Sequence, residues 1–301
     1  MHQFTLAREV RACGIGLHSG KPIGLSLKPA PAGSGVRFVR SDLAGLEIPA
    51  RIDRVDFQSL QLATSLVEGT ARVQTTEHLM AALYACGVDN ALVELDGGEV
   101  PIMDGSAAPF LYLIEEAGLK RQAAERKILT ITRPFHFEHG GKMLSAYPCE
   151  NLRITYHIHF DHPLIQSQQK TVEINAGDFE KEVGKARTFG FLKDVQALKK
   201  LGLVQGGSMD NAIVLDGDRM LNASLRQKDE FVSHKILDCV GDLALCGYRL
   251  AGHFVAHRAG HEVHARFLAA LLASSAYELR GQEQIKPVAA ALPGEALLLP
   301  A

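Results

Sequence analysis

Absences narrow this 301-residue chain before any motif does. It has no Cys-x-x-Cys pair: the five cysteines (Cys13, Cys86, Cys149, Cys239, Cys246) are scattered, which reads as reduced thiols rather than a disulfide framework. It has no run of about 18 apolar residues, the length a membrane-spanning helix needs, and the opening MHQFTLAREV lacks the apolar core of a secretory signal. The expectation is a cytoplasmic protein with no transmembrane segment, its membrane contact limited to the periphery. No sign of charge dominates: 32 Lys and Arg against 34 Asp and Glu leave a formal net charge of -2, which excludes a broad basic face for nucleic acid. Nor does a histidine follow the pair Glu77-His78 at the spacing of an HExxH zinc helix.

What is present suits a globular enzyme of one large or two modest domains, with 47% hydrophobic residues. Short alternating runs at Gly24, Val36 and Gln61–Val67 predict strands. VQTTEHLMAALYACG then predicts a helix, with Thr75 or Thr76 as its cap and Gly87 as its stop. A strand in NALVELDG and a helix from Ala107 to Glu116 complete a first block. The polar LKRQAAERK marks the expected boundary, giving domains 1-121 and 122-301, although it also reads as the exposed end of a helix. Beyond it the plan repeats: strands at 142–147 and 152–160, helices near 176–185 and 230–246, a strand in YRLAGHFVAH, and a helix from His261. The fold class read from this order is α+β, two domains packing helical faces together. The apolar, Pro-punctuated end PVAAALPGEALLLPA reads as a docked tail.

The chemistry concentrates in EFVSHKILDCVGD, which sets His234, Asp238 and Asp242 at four-residue steps on one helical face. His234 and Asp238 can grip one divalent metal while Lys235 projects beside them; an exposed His-Asp pair is the plainer alternative. Glu77 and His78 lie about 100° apart on their helix, so His78 can ligate while Glu77 acts as base, or both can simply face solvent. His157, His159 and His162 in HIHFDH offer either a strand-face metal site or a polar strand face, and His136 and His139 are equally open. His18, in a turn-forming GIGLHSG, reads as structural or as the rim of a site. His261 sits where a helix dipole disfavours imidazolium, so a protonated His there needs a carboxylate, and Asp242 is the candidate.

With these residues in place, the chain resembles, along its whole length, the zinc-dependent UDP-3-O-acyl-N-acetylglucosamine deacetylases of lipid A synthesis. The resemblance rests on GIGLHSG, TTEHLMAAL, VDNALVELDGGEVPIMDGSAAPF, ARTFGF, GGSMDNAIV, NASLRQKDEFVSHKILDCVGDLALCG and the AGH at 259–261, in the family's order. It implies two similar domains, each a small sheet layered with two helices, the helices sandwiched between the sheets. It also implies one insert per domain, near 49-73 and near 187-210, the second shaping a passage for an acyl chain. It implies His78, His234 and Asp238 as ligands of one Zn2+ per chain, Glu77 as general base, His261 as general acid with Asp242 as its partner, and Thr188 as an oxyanion-stabilising hydroxyl. Phe189, Phe191, Gly207 and Lys235 match substrate contacts. The implied partner is an acylated UDP-sugar, and the implied assembly a monomer.

That ligand set has its own logic. Three protein ligands leave a fourth zinc position open, as hydrolysis requires, where a structural zinc would be closed. In the second insert Phe191, Leu192, Val195, Leu198, Leu201, Leu203 and Val204 suit one lined face, either for a fatty chain or for the core. Two departures from the family pattern stand out: EVHAR follows Gly260 and His261 in place of an amide-rich run, with His257 and His264 adding nitrogen donors, and LATSLV lacks cysteine. Other acylated or peptide substrates, and a binding protein without activity, remain as rival readings.

Overall fold

The computed structural model describes residues 1–281; the expected docked tail lies outside them. Two sheets carry the architecture. The first has five strands in the order Val10–Ile15, Pro22–Pro29, Ala91–Leu95, Val36–Arg40, Leu46–Pro49. Its members alternate buried and open residues, as in Pro22–Pro29, where Ile23, Leu25 and Leu27 point inward. The second has seven strands. Its path runs Phe135–His139, Lys142–Tyr147, Arg249–His257, Ile128–Ile131, Tyr277–Arg280, and Leu152–Phe160 joins Arg249–His257 in parallel and Gln166–Glu173 antiparallel.

Six helices lie among the described residues: α1 (Glu77–Ala85), α2 (Ala108–Ala117), α3 (Ala176–Glu182), α4 (Leu192–Lys200), α5 (Glu230–Leu243) and α6 (His261–Leu272). Helix α2 packs on strand Val10–Ile15, α5 and α6 pack on the seven-stranded sheet, and α1 and α5 pack against each other between the two layers. Every residue of α1 is buried, and only Lys235 of α5 is not, because each helix is covered on all sides. Their approach is close enough to exclude a side chain: a Cβ at Gly241 would stand 2.0 Å from the Glu77 carbonyl oxygen. The absence of that Cβ lets the two helices that carry the candidate ligands touch through backbone.

Three local expectations are corrected. Gln61–Val67 is not a strand: only Leu66–Glu68 is, paired with Ala71–Val73, and 61–65 is irregular. The reason is chemical, since Thr64 turns its backbone and hydroxyl to buried polar side chains instead of to a strand partner. Thr76 occupies the N-cap position of α1 without capping it, because its hydroxyl donates to the Thr64 carbonyl at 3.1 Å. The polar segment LKRQAAERK holds a strand, Leu119–Glu125, which pairs antiparallel with His2–Leu6. In the region of the second insert, Phe189–Phe191, Ile213–Asp216 and Arg219–Met220 form a three-stranded sheet beside α4.

Candidate active site

Two α1 residues and three α5 residues converge where these helices meet. The start of α1 is set by Thr75, a β-branched residue held at φ 58°, whose hydroxyl donates to Glu99 at 3.2 Å. That conformation costs about 1–2 kcal/mol, and it turns the chain so that Glu77 and His78 enter the helix facing α5.

His78 Nε2 and His234 Nε2 stand 3.5 and 3.3 Å from the same oxygen, Asp238 Oδ1, and the two rings meet edge to face at 5.0 Å. All three residues are buried, and their donor atoms lie within 4.8 Å of one another. Asp238 Oδ1 has no hydrogen-bond partner, nor has His78 Nδ1. A buried carboxylate oxygen without a donor is costly unless a cation fills the place. The protonation states agree. Burial drives His234 down to about 3, so its ring is neutral, and its Nδ1 lies 3.1 Å from the Ala186 carbonyl, which leaves Nε2 free as a ligand atom. For Asp238, burial opposes ionisation, but His234 and Lys235 outweigh it and hold the carboxyl well below its usual range. The Lys235 ammonium donates to Asp238 Oδ2.

A second cluster lies alongside. Asp242 Oδ2 takes His261 Nδ1 and His264 Nδ1, each at 2.8 Å, and Asp242 Oδ1 accepts the Thr64 hydroxyl at 2.5 Å. His264 uses its other nitrogen on the Tyr156 hydroxyl at 2.9 Å. Every oxygen of Asp242 is thus occupied, which separates this hydrogen-bonded cluster from the open one around Asp238. His261 points Nε2 toward Asp238, 3.9 Å from Oδ2. Burial pushes the His261 imidazolium down, yet the Asp242 and Asp238 carboxylates more than offset it and raise the group to about 9. Glu77 is buried beside them with its carboxylate accepting the Thr64 N–H at 3.1 Å, and burial raises its pKa above the ordinary value.

The raised His261 has a consequence for stability. Its folded value of about 9 lies above the ordinary 6.5, so the charged ring contributes stability that is fully present below pH 6.5 and is lost as pH rises through 9. The melting temperature of the metal-free protein is expected to fall across that window, and His261→Gln to flatten the fall. Parallel profiles for the two proteins would contradict the raised value.

The remaining sequence-derived candidates divide. Thr188 is fixed through its backbone, its N–H donating to Gly105 and its carbonyl accepting from Ile213, both at 2.8 Å, two residues after the carbonyl that bonds His234. Phe189 packs on Phe231 at 5.1 Å and on His234 at 6.2 Å, and Phe191 on Phe160 at 6.3 Å. Gly207 sits in the loop docked on the first sheet's turn, where Gln205 and Gly206 donate to the His18 and Leu17 carbonyls. His157 is bonded to His257, at 2.9 Å between Nδ1 atoms, His159 to Ser167 and His162 to Gly217. None of them belongs to a three-residue metal group among the described residues. Of the two extra donors near His261, only His264 enters the site.

The comparisons decide the family. Residues 3–273 match the model of a family described as UDP-3-O-acyl N-acetylglycosamine deacetylase. The chain belongs to that family. A relative from Acidithiobacillus ferrooxidans named UDP-3-O-acyl-N-acetylglucosamine deacetylase is 46% identical over 90% of both chains. Relatives of the same name from Pseudomonas entomophila and Idiomarina loihiensis are 45% identical over 91% and 46% identical over 92% of both chains. For a member of this deacetylase family, a His78–His234–Asp238 group that could hold a metal ion, beside the hydrogen-bonded Asp242–His261–His264 cluster, is an arrangement suited to hydrolysis of an amide.

Sequence reasoning missed Thr64, whose polar groups reach both Glu77 and Asp242, and it left His264 without a role. Thr64 gave no signal beyond a polar break in an otherwise strand-like run.

Proposed function

We propose that this chain hydrolyses the N-acetyl group of UDP-3-O-(3-hydroxyacyl)-N-acetylglucosamine, releasing acetate and the free 2-amine, the committed step of lipid A biosynthesis. The observation that carries the reading is the buried, partnerless Asp238 Oδ1 between His78 and His234, with His261 Nε2 3.9 Å from the same carboxylate and Glu77 buried beside His261. Two imidazoles and a carboxylate suit zinc, and three ligands leave it an open position. Zinc bound there supplies a Lewis acid for the acetamide carbonyl and acidifies water.

The chain's own groups do the rest. Glu77, its pKa raised by burial, takes the proton of the attacking water; a carboxylate of higher basicity is the better acceptor near neutral pH. His261, protonated and held by Asp242, stabilises the oxyanion and then delivers its Nε2 proton to the departing nitrogen. Thr188 contributes a hydroxyl to the oxyanion. Lys235 exchanges its bond to Asp238 for a contact with the substrate's sugar or phosphate. Phe189, Phe191 and Gly207 border the sugar and acyl chain. No residue of α4 is buried, so the face of Val195 and Leu198 is not consumed by the core and stays available to a fatty chain, at about 0.8 kcal/mol per methylene. The reading also includes a monomer in the cytoplasm with peripheral membrane contact; no helix of the described residues is long and apolar enough to cross a membrane.

The test is acetate release from the 3-O-acylated UDP-sugar, run beside the same sugar nucleotide without its acyl chain and an N-acetylated peptide. Turnover confined to the acylated sugar nucleotide is the expected result. Faster release from the peptide would point to a different amidase.

A further inference from the structure

The irregular stretch 61–65 in the first insert region is buried over its last three residues: Ala63, Thr64 and Ser65 are 4%, 1% and 1% exposed. Polar residues are buried at such a place only when their groups are satisfied. Thr64 satisfies its groups on one side of the molecule. Its N–H donates to Glu77 Oε2 at 3.1 Å, its carbonyl accepts the Thr76 hydroxyl at 3.1 Å and the Thr76 N–H at 3.2 Å, and its hydroxyl donates to Asp242 Oδ1 at 2.5 Å. The hydroxyl oxygen also lies 3.3 Å from His261 Nδ1. Residues from α1, α5 and α6 therefore meet on one residue that belongs to none of them. The anchoring continues outward, since the next residue, Ser65, accepts the Asp56 N–H at 2.9 Å, and Arg72 ties Asp56 to Ser59.

We infer that Thr64 is a positioning residue for the deacetylation: its N–H orients the Glu77 base while its hydroxyl orients the Asp242–His261 acid pair, fixing the two at one mutual distance. The inference rests on the acid and base roles assigned above. The physical case is that Asp242 would otherwise be held through one oxygen alone. His261 and His264 both bond Oδ2, so the carboxylate could pivot about that atom and carry His261 with it. A short bond from Thr64 to Oδ1 removes that freedom, and loss of such an outer partner typically costs about 10–100-fold in activity.

The experiment compares Thr64→Val, Thr64→Ser and Asp242→Asn, singly and as the Thr64→Val/Asp242→Asn pair, in the zinc-loaded enzyme. Val keeps the branched shape and the backbone bonds and removes only the hydroxyl; Thr64→Ala serves the same comparison if the Val protein does not fold. The expected result is a kcat about 10–100-fold lower for Thr64→Val, with KM and zinc content unchanged and with activity restored in Thr64→Ser. Because Thr64 acts through Asp242, the double variant should be no slower than Asp242→Asn alone. Thr64→Val within twofold of the parent, or losses that multiply in the double variant, would overturn the inference. Full activity of Asp242→Asn would instead overturn the acid-pair reading beneath it.

Discussion

Chelation of the metal is expected to bring acetate release down to background, and about one equivalent of zinc per chain to restore it. The size of the effect follows from what the chain lacks without the ion. Glu77 can accept a proton, but free water has a pKa near 15.7, and only a Lewis acid brings it toward about 7, where a carboxylate is a sufficient base. The His78–His234–Asp238 cluster suits that loss and recovery: Asp238 Oδ1 has no protein donor, and His234 is neutral at working pH because burial lowers it to about 3. Removal should also destabilise the fold, since anything bound only by the native state adds stability by mass action. The measurement is zinc content by elemental analysis beside turnover and melting temperature. Full turnover at less than about a tenth of an equivalent of any metal would remove the ion from the mechanism, and restoration that needs two equivalents would require a second site.

Glu77→Ala is expected to lower kcat by about 10²–10⁴-fold while zinc stays bound, the range associated with a lost general base. The prediction separates two roles that adjacency confuses. Glu77 and His78 are sequence neighbours, yet the donor group around Asp238 includes His78 and not Glu77. Glu77 spends its carboxylate on the Thr64 N–H and is otherwise held beside His261 and Asp242. Truncation leaves that N–H, at a residue only 1% exposed, without its acceptor, so a modest loss of stability should accompany the kinetic loss. Equilibrium zinc content and single-turnover rates decide it: loss of zinc would make Glu77 a ligand, and an unchanged rate would move the base elsewhere.

Much of the site was legible because helices translate spacing into geometry. The four-residue steps from His234 to Asp238 to Asp242 needed only 3.6 residues per turn to share a face, and α5 runs unbroken from Glu230 to Leu243. The apolar run of α1 predicted a helix, but its burial on every side, Glu77 and His78 included, came only with the fold. Histidines on strands were less readable. His157 pairs with His257 across parallel strands, not with His159 along its own, since cross-strand register depends on a partner a hundred residues away.

The α+β order, the His234–Asp238 pair on one face of α5 with its adjoining lysine, and the family resemblance belong to the sequence alone, because each depends on local period or on motifs in fixed order. The meeting of α1 with α5 belongs to the tertiary structure, which brings the Glu77 carbonyl against Gly241. So do the occupancy of both Asp242 oxygens, the neutral state of His234 and the raised state of His261. These are consequences of burial and of distances between segments remote in sequence, and no pattern along one strand or helix carries them. Thr64 shows the difference most plainly: a polar interruption in a strand-like run becomes, once folded, the residue on which Glu77 and Asp242 meet.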